Sequence, residues 1–184
     1  MRACFAIIIL TLFVLSIACD ESSADPQTLM AHATQGDATA QWELGLLYAK
    51  GEGVPQDYGK ARQWYEKAAA QGHARAQYSL GLLYAAGRGV PQDNTKARQW
   101  FEKSAAQGDA RAQYSLGMLY DTGQGVPQDS VRAYMWYNLA AASLTGEHQK
   151  NATNNRDNIA RLLTPAQLAE GQRLASQCRA RQFK

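Results

Sequence analysis

Chemistry in this chain would have to come from a short set of residues. Gln77-Tyr78-Ser79-Leu80-Gly81 offers a serine followed two positions later by a glycine. A serine nucleophile of the elbow type also needs a glycine two residues before it, on a sharp strand-to-helix turn. Gln77 occupies that position, and the periodicity around Ser79 is helical, so acyl-transfer chemistry is not expected there. No Ser-x-x-Lys occurs anywhere, which removes the other common serine arrangement. Gly51-Glu52-Gly53 could begin a dinucleotide loop, but Gln56 stands in place of the third glycine and no strand precedes it. His32, His73 and His148 are scattered without metal-ligand spacing. No catalytic residue, metal site or cofactor is expected. Cys178 lies on the apolar side of a C-terminal helical pattern, as a buried thiol or as a disulfide partner of Cys19.

The strongest covalent signal is at the N-terminus. Arg2 is followed by an almost wholly apolar run from Ala3 to Ala18, too short for the roughly 20 residues of a spanning helix. Residues 1–18 therefore read as a secretory leader. Leu15-Ser16-Ile17-Ala18-Cys19 resembles a bacterial lipobox, with Cys19 as the residue to be lipidated and Ser16 where leucine is usual. An ordinary cut after Ala18 or Ala24 would instead release a soluble secreted protein. The expected setting is the periplasm, on a membrane through a lipid anchor if Cys19 is modified. Asp20 resembles an inner-membrane retention signal.

Composition narrows the partners. With 19 Lys and Arg against 16 Asp and Glu, the net charge of +3 is too small to argue for nucleic acid or an anionic membrane surface. The hydrophobic fraction of 46% allows a buried core, and three cysteines make no disulfide framework.

Candidate residues need elements to hold them, and an internal repeat supplies those. Gly36, Gly72 and Gly108 recur at a step of 36, as do Tyr48, Tyr84 and Tyr120, Pro55, Pro91 and Pro127, and Trp64, Trp100 and Trp136. Residues 37–72, 73–108 and 109–144 form three units, the last drifting after Ala141. Residues 19–36 supply a linker and an N-terminal capping helix, and 145–184 supply C-terminal capping helices. Each unit reads as two helices. Ala40, Leu44, Leu47 and Tyr48 make the apolar stripe of the first, and Ala61, Trp64, Tyr65 and Ala68 that of the second. Gly45 lets a neighbouring helix approach. Gly51 can end the first helix in a left-handed conformation. Pro55 prevents the helix from continuing, and Asp57 can cap the next. Asp37 and Asp109 cap the first helices of their units, with His73 as a weaker substitute. A polar stretch, 145–155, leads to Ile159, Leu162 and Leu163, and Thr164-Pro165 starts a last helix. One such pair cannot bury its own apolar face, so the units must stack.

Ala40 to Tyr48, then Gly51-x-Gly53-Val54-Pro55-Gln56-Asp57, then Ala61-x-x-Trp64-Tyr65-x-x-Ala68-Ala69-x-x-Gly72 resembles the Sel-one-like repeat (SLR), a longer-looped relative of the tetratricopeptide repeat. The resemblance covers about 37–142. The third unit departs from it at Tyr134, Met135 and Asn138. It implies an all-α, right-handed α/α solenoid whose first helices line a concave groove, and a scaffold or adaptor function in protein complexes. Some cysteine-rich secreted members are described as β-lactamase-like, but they carry regularly spaced cysteine pairs. This chain has no cysteine between Cys19 and Cys178.

At about 100° per residue, Thr39, Trp42, Leu46, Ala49 and Lys50 fall opposite the core stripe of the first helix. Their equivalents are Arg75, Tyr78, Leu82, Ala85 and Ala86, then Arg111, Tyr114, Met118, Asp121 and Thr122. An aromatic row, Trp42-Tyr78-Tyr114, would thus run beside a Leu46-Leu82-Met118 row, flanked by Arg75 and Arg111. This is the composition of a peptide-binding groove. Packing between adjacent first helices would equally account for the aromatics. The expected partner is a protein or peptide. A glycan surface and β-lactamase-like hydrolysis are the rivals.

Overall fold

The repeat dictates the architecture. A computed structural model describes residues 26–182. The described residues form nine helices and no strand: α1 (Pro26–Thr34), α2 (Ala38–Lys50), α3 (Tyr58–Ala70), α4 (Ala74–Ala86), α5 (Asn94–Ala106), α6 (Ala110–Thr122), α7 (Ser130–Ser143), α8 (Gly146–Ala160) and α9 (Pro165–Gln182). The leader, Cys19 and any pairing of Cys19 with Cys178 lie outside the described residues. Consecutive helices pack on one another from α1 to α8, which makes an all-helical α/α solenoid.

Local chemistry sets each boundary. The Asp37, Asp57, Asp93, Asp109 and Asp129 carboxylates each accept a backbone N–H of the following first turn. Gly51 ends α2 with φ of 76°, a left-handed conformation that a side chain would strain. The loop beyond it is stapled identically three times. Gln56, Gln92 and Gln128 donate their side-chain amides to the carbonyls of Ala49, Ala85 and Asp121. The backbone N–H groups of Asp57, Asp93 and Asp129 donate to the carbonyls of Tyr48, Tyr84 and Tyr120, each at 2.9 Å.

His73 caps α4 differently. Its Nδ1 accepts the Ala76 N–H at 3.2 Å, which requires a neutral imidazole. Burial, helped by the Arg75 guanidinium, holds His73 below its ordinary pKa. The folded state therefore binds this proton less readily than the unfolded chain, whose His titrates near ~6.5. Stability is fully present above that value and declines as the pH falls through it towards the lower folded pKa. His73→Asp, which copies Asp37 and Asp109, removes the decline and restores a carboxylate cap worth about 1 kcal/mol. Urea denaturation at pH 7.5 and at pH 5.5 measures this. The gap between variant and wild type should widen at the lower pH, and a constant gap would refute the role given to His73.

The core lies between units. Ala61, Tyr65, Ala68 and Ala69 of α3 pack with Ala76, Leu80 and Leu83 of α4, and α5 and α6 repeat the arrangement. Within a unit the helices meet at a glycine notch. A Cβ on Gly45, Gly81 or Gly117 would come within 2.6 Å of Tyr65, 2.3 Å of Phe101 or 2.6 Å of Tyr137.

The buried Gln41 and Gln77 reach back to the carbonyls of Ala33 and Ala69 on the preceding helix, and each is held by a glutamine of its own unit. Gln71 donates to Gln41 Oε1 and Gln107 to Gln77 Oε1, both at 2.8 Å. The third unit has Ser143 at the corresponding position, and Gln113 Oε1 is buried without a hydrogen-bond partner.

The C-terminal end differs from its sequence reading. The stretch 145–155, read as a polar lead-in, is the body of helix α8. Its apolar signal is too sparse to detect because only Ala152 and Ile159 are buried there. Leu162, placed with that apolar group, is 75% exposed in the turn after α8. The repeat in fact extends into α8. Gln149, 36 residues after Gln113, donates to the Ala141 carbonyl, as Gln41 does to Ala33 and Gln77 to Ala69. Helix α8 is thus the first helix of a degenerate fourth unit. Helix α9 folds back on α7, with Gly171 against Tyr134 and Ala175 and Cys178 beside Met135 and Leu139. Burial pushes the half-buried Cys178 thiol above its ordinary pKa, which disfavours the reactive thiolate.

Candidate partner-binding groove

Helices α2, α4 and α6 stand side by side, and the open side of this row carries the groove residues, with side chains of α3 and α5 also lining its cavities. Three cavities run along this side. The first, about 430 Å³, is walled by Leu46, Lys50, Ser79, Leu82 and Arg88 among others. The second, about 240 Å³, has the equivalent residues one unit on, including Leu82, Asn94, Ser115, Met118 and Gln124. The third, about 230 Å³, combines Tyr78, Leu82, Arg111, Tyr114 and Met118 with Leu144, His148 and Asn151. Leu82 lines all three, so the groove is continuous.

The structure therefore brings together Tyr78, Leu82, Arg111, Tyr114 and Met118, and places Leu46 and Lys50 at the neighbouring cavity. Thr39, Trp42 and Arg75 line none of the three. Thr39 is exposed towards the start of α2, and Arg75 is stacked over the Trp42 ring at 5.3 Å. Leu144, His148 and Asn151 were missed because they belong to the α7–α8 corner, read only as a polar stretch leading into the C-terminal caps. The i, i+3 spacing of His148 and Asn151 is the signal that could have found them.

The aromatic row is wedged as well as displayed. Trp42 donates its indole N–H to Ser79 Oγ on α4 at 3.2 Å and stacks on His73 at 5.6 Å. Tyr78 packs on Phe101 and carries Arg111 over its ring at 4.8 Å. Tyr114 packs on Tyr137, and its hydroxyl accepts the Asn155 amide. All three rings are half-buried, so the same side chains serve inter-helix packing and wall the groove. Burial holds the Tyr78 phenol above its ordinary pKa and pushes Tyr65 up to about 12, so both remain protonated donors.

Arg111 is held by its own cap residue, with Nη2 2.9 Å from Asp109 Oδ2. The charged side chains of the outer helices are also ordered. Arg62 pairs with Glu66 at 2.8 Å and Arg98 with Glu102 at 2.6 Å, and the two Nε atoms are buried without partners. Lys67 and Lys103 lie over the Trp64 and Trp100 rings.

Ser79 sits within α4, donates to the Arg75 carbonyl and accepts from Trp42. Among the described residues no base is hydrogen-bonded to it, as activation of a serine nucleophile requires. Among the described residues no cluster of His, Cys, Asp or Glu could hold a metal ion, and no helix is long and apolar enough to cross a membrane.

The Sel1 repeat family model matches residues 38–73, 74–109 and 110–143. No curated protein matches the chain. Among solved structures, a protective antigen of uropathogenic Escherichia coli with an SLR fold is 37% identical over 83% of this chain, with a TM-score of 0.76. This chain spans only 32% of that antigen. A Sel1 repeat protein from Oxalobacter formigenes is 41% identical over 70% of this chain and 96% of its own length, with a TM-score of 0.61. The cysteine-rich protein B of Helicobacter pylori is 19% identical over 67% of this chain and 92% of its own, with a TM-score of 0.56, a likeness of fold alone. Solenoids of this kind are typically protein–protein interaction scaffolds and generally not catalysts. With matched units spanning more than half of the sequence and the same loop staple built three times, the chain belongs to the Sel1 repeat family.

Proposed function

We propose that this protein is a binding scaffold of the cell envelope that holds a segment of a partner protein along the groove formed by α2, α4, α6 and α8. One observation carries the reading. The exposed large hydrophobics among the described residues are Leu82, Met118 and Leu162, and the first two lie side by side on the groove floor at 43% and 40% exposure. Apolar side chains left open between aromatic walls gain on association by leaving water. A sugar-stacking platform is less well supported, because the Trp42 ring is already occupied by His73 and Arg75.

The test is a crosslinking pulldown from the native cell envelope with wild type and with Leu82→Gln/Met118→Gln. Both substitutions are at exposed helical positions, so folding stability should change by less than about 0.5 kcal/mol each. Partner affinity should fall by about 30-fold, the loss of a hot-spot contact of ~2 kcal/mol. Undiminished capture by the folded variant would move the binding face elsewhere.

The envelope setting rests on the leader and on Cys19. Cys19→Ser should abolish incorporation of labelled palmitate and shift the protein from the membrane to the soluble fraction. Equal labelling of the variant would exclude lipidation at that residue.

A further inference from the structure

The reading above leaves the partner's chemistry open, and the groove's charge narrows it. Among the described residues lining the three cavities none is acidic, while Lys50, Arg88, Arg111 and His148 all do so. Acids beside Lys50 and Arg111 are already paired. Asp109 caps α6, is held by Arg111 and keeps 9% of its side chain exposed. Glu52 pairs with Lys50 at 3.3 Å.

The outer helices show the contrast. There Arg62 and Arg98 each have a glutamate one turn away. Arg88 instead lies over the Tyr58 ring at 5.5 Å and has no carboxylate within ion-pair distance among the described residues. Arg111 engages Asp109 through Nε and Nη2, which leaves Nη1 without a hydrogen bond there. Among the described residues the His148 and Asn151 side chains have no hydrogen-bond partner, and both lie beside Leu144 at the third cavity. Free donors at both ends thus flank the apolar floor of Leu82 and Met118.

We infer that the groove selects an acidic protein segment carrying a bulky apolar residue, the apolar side chain seating between Leu82 and Met118 and the carboxylates lying against Arg88, Arg111 and His148. This rests on the groove being the binding face. Positive charge along the walls steers such a segment in and disfavours basic ones, through complementarity of potential more than through any single pair. The third cavity, at about 230 Å³, bounds the anchor to about one large side chain.

The probe is a random peptide library displayed on phage and selected against the purified full chain. Selected peptides should be net acidic with a large aliphatic or aromatic residue. They should bind about tenfold more weakly to Arg88→Gln/Arg111→Gln/His148→Gln, because three partly exposed pairs are each worth a fraction of a tenfold. They should also weaken when salt is raised against wild type, a readout independent of any variant's folding. Leu82→Gln/Met118→Gln, neutral by design, should lose them. Neutral or basic peptides that are lost on Leu82→Gln/Met118→Gln would overturn the acidic preference and leave the groove standing. Acidic peptides that bind Leu82→Gln/Met118→Gln undiminished would overturn the groove itself. Failure to enrich any peptide would count against both.

Discussion

Phe101→Ala and Gly81→Val should each destabilise the protein, and combining them should cost clearly less than the sum. Phe101 is 2% exposed, and its ring lies 2.3 Å from where a Cβ on Gly81 would stand. Removing the ring opens a cavity at the centre of the solenoid, a loss of about 3–5 kcal/mol for phenylalanine to alanine. Valine at 81 would push the ring and separate α4 from α5, an overpacking cost of about 3 kcal/mol. In the double variant the valine enters the space the ring has left, so a coupling of about 1–3 kcal/mol should oppose the two losses. Urea denaturation of the four proteins in the cycle measures it. For a chain of this size each kcal/mol moves the melting temperature by about 2–4 °C. Strict additivity would mean that Gly81 is not the notch for this ring.

The aromatic row gives the second large effect. Trp42→Ala/Tyr78→Ala/Tyr114→Ala should leave most of the chain unfolded. Each ring is half-buried and bridges to another helix: Trp42 to Ser79, Tyr78 to Phe101 and Tyr114 to Tyr137. A fully buried aromatic costs about 3–5 kcal/mol on truncation to alanine. Taking about 2 kcal/mol for each half-buried ring, the three together remove about 6 kcal/mol. That is comparable with the whole stability of a typical domain, about 5–15 kcal/mol. Helical circular dichroism and a thermal melt report it. A triple variant that melts like wild type would show that the rings are surface groups with no packing duty. Loss of binding on truncating these rings would therefore be ambiguous, whereas Leu82→Gln/Met118→Gln separates binding from folding.

Much of the fold was legible because the signals repeat. Gly51, Pro55 and Asp57 define a loop, and their recurrence at a step of 36 three times over leaves one way to stack the helices. Gly45, beside an apolar stripe in the sequence, became a notch for Tyr65 for the expected reason. The fourth unit was not legible. Its first helix keeps Gln149, the equivalent of Gln41, Gln77 and Gln113, but puts Ala152 at the place of Leu44, and polar residues dominate the rest of its surface. Helical periodicity had nothing apolar to register there.

The groove was legible by its angle on the helix and not by its depth. The wheel put Leu46, Leu82 and Met118 opposite the core stripe, where Leu82 and Met118 are exposed and Leu46 is half-buried. It could not tell that Trp42 would lie across the gap onto α4, since indole reach and the His73 stack depend on the spacing of neighbouring helices. It also could not foresee that α8 would close one end with His148 and Asn151.

The groove as the binding face is most directly tested by site-specific photocrosslinking in living cells. Benzoylphenylalanine is placed at Met118 in the groove or at Gln99, exposed on α5 of the outer layer. If the groove holds the partner, position 118 yields one discrete protein adduct and position 99 yields none. An adduct from Gln99 with silence at Met118 would contradict the account and place the working surface on the convex side.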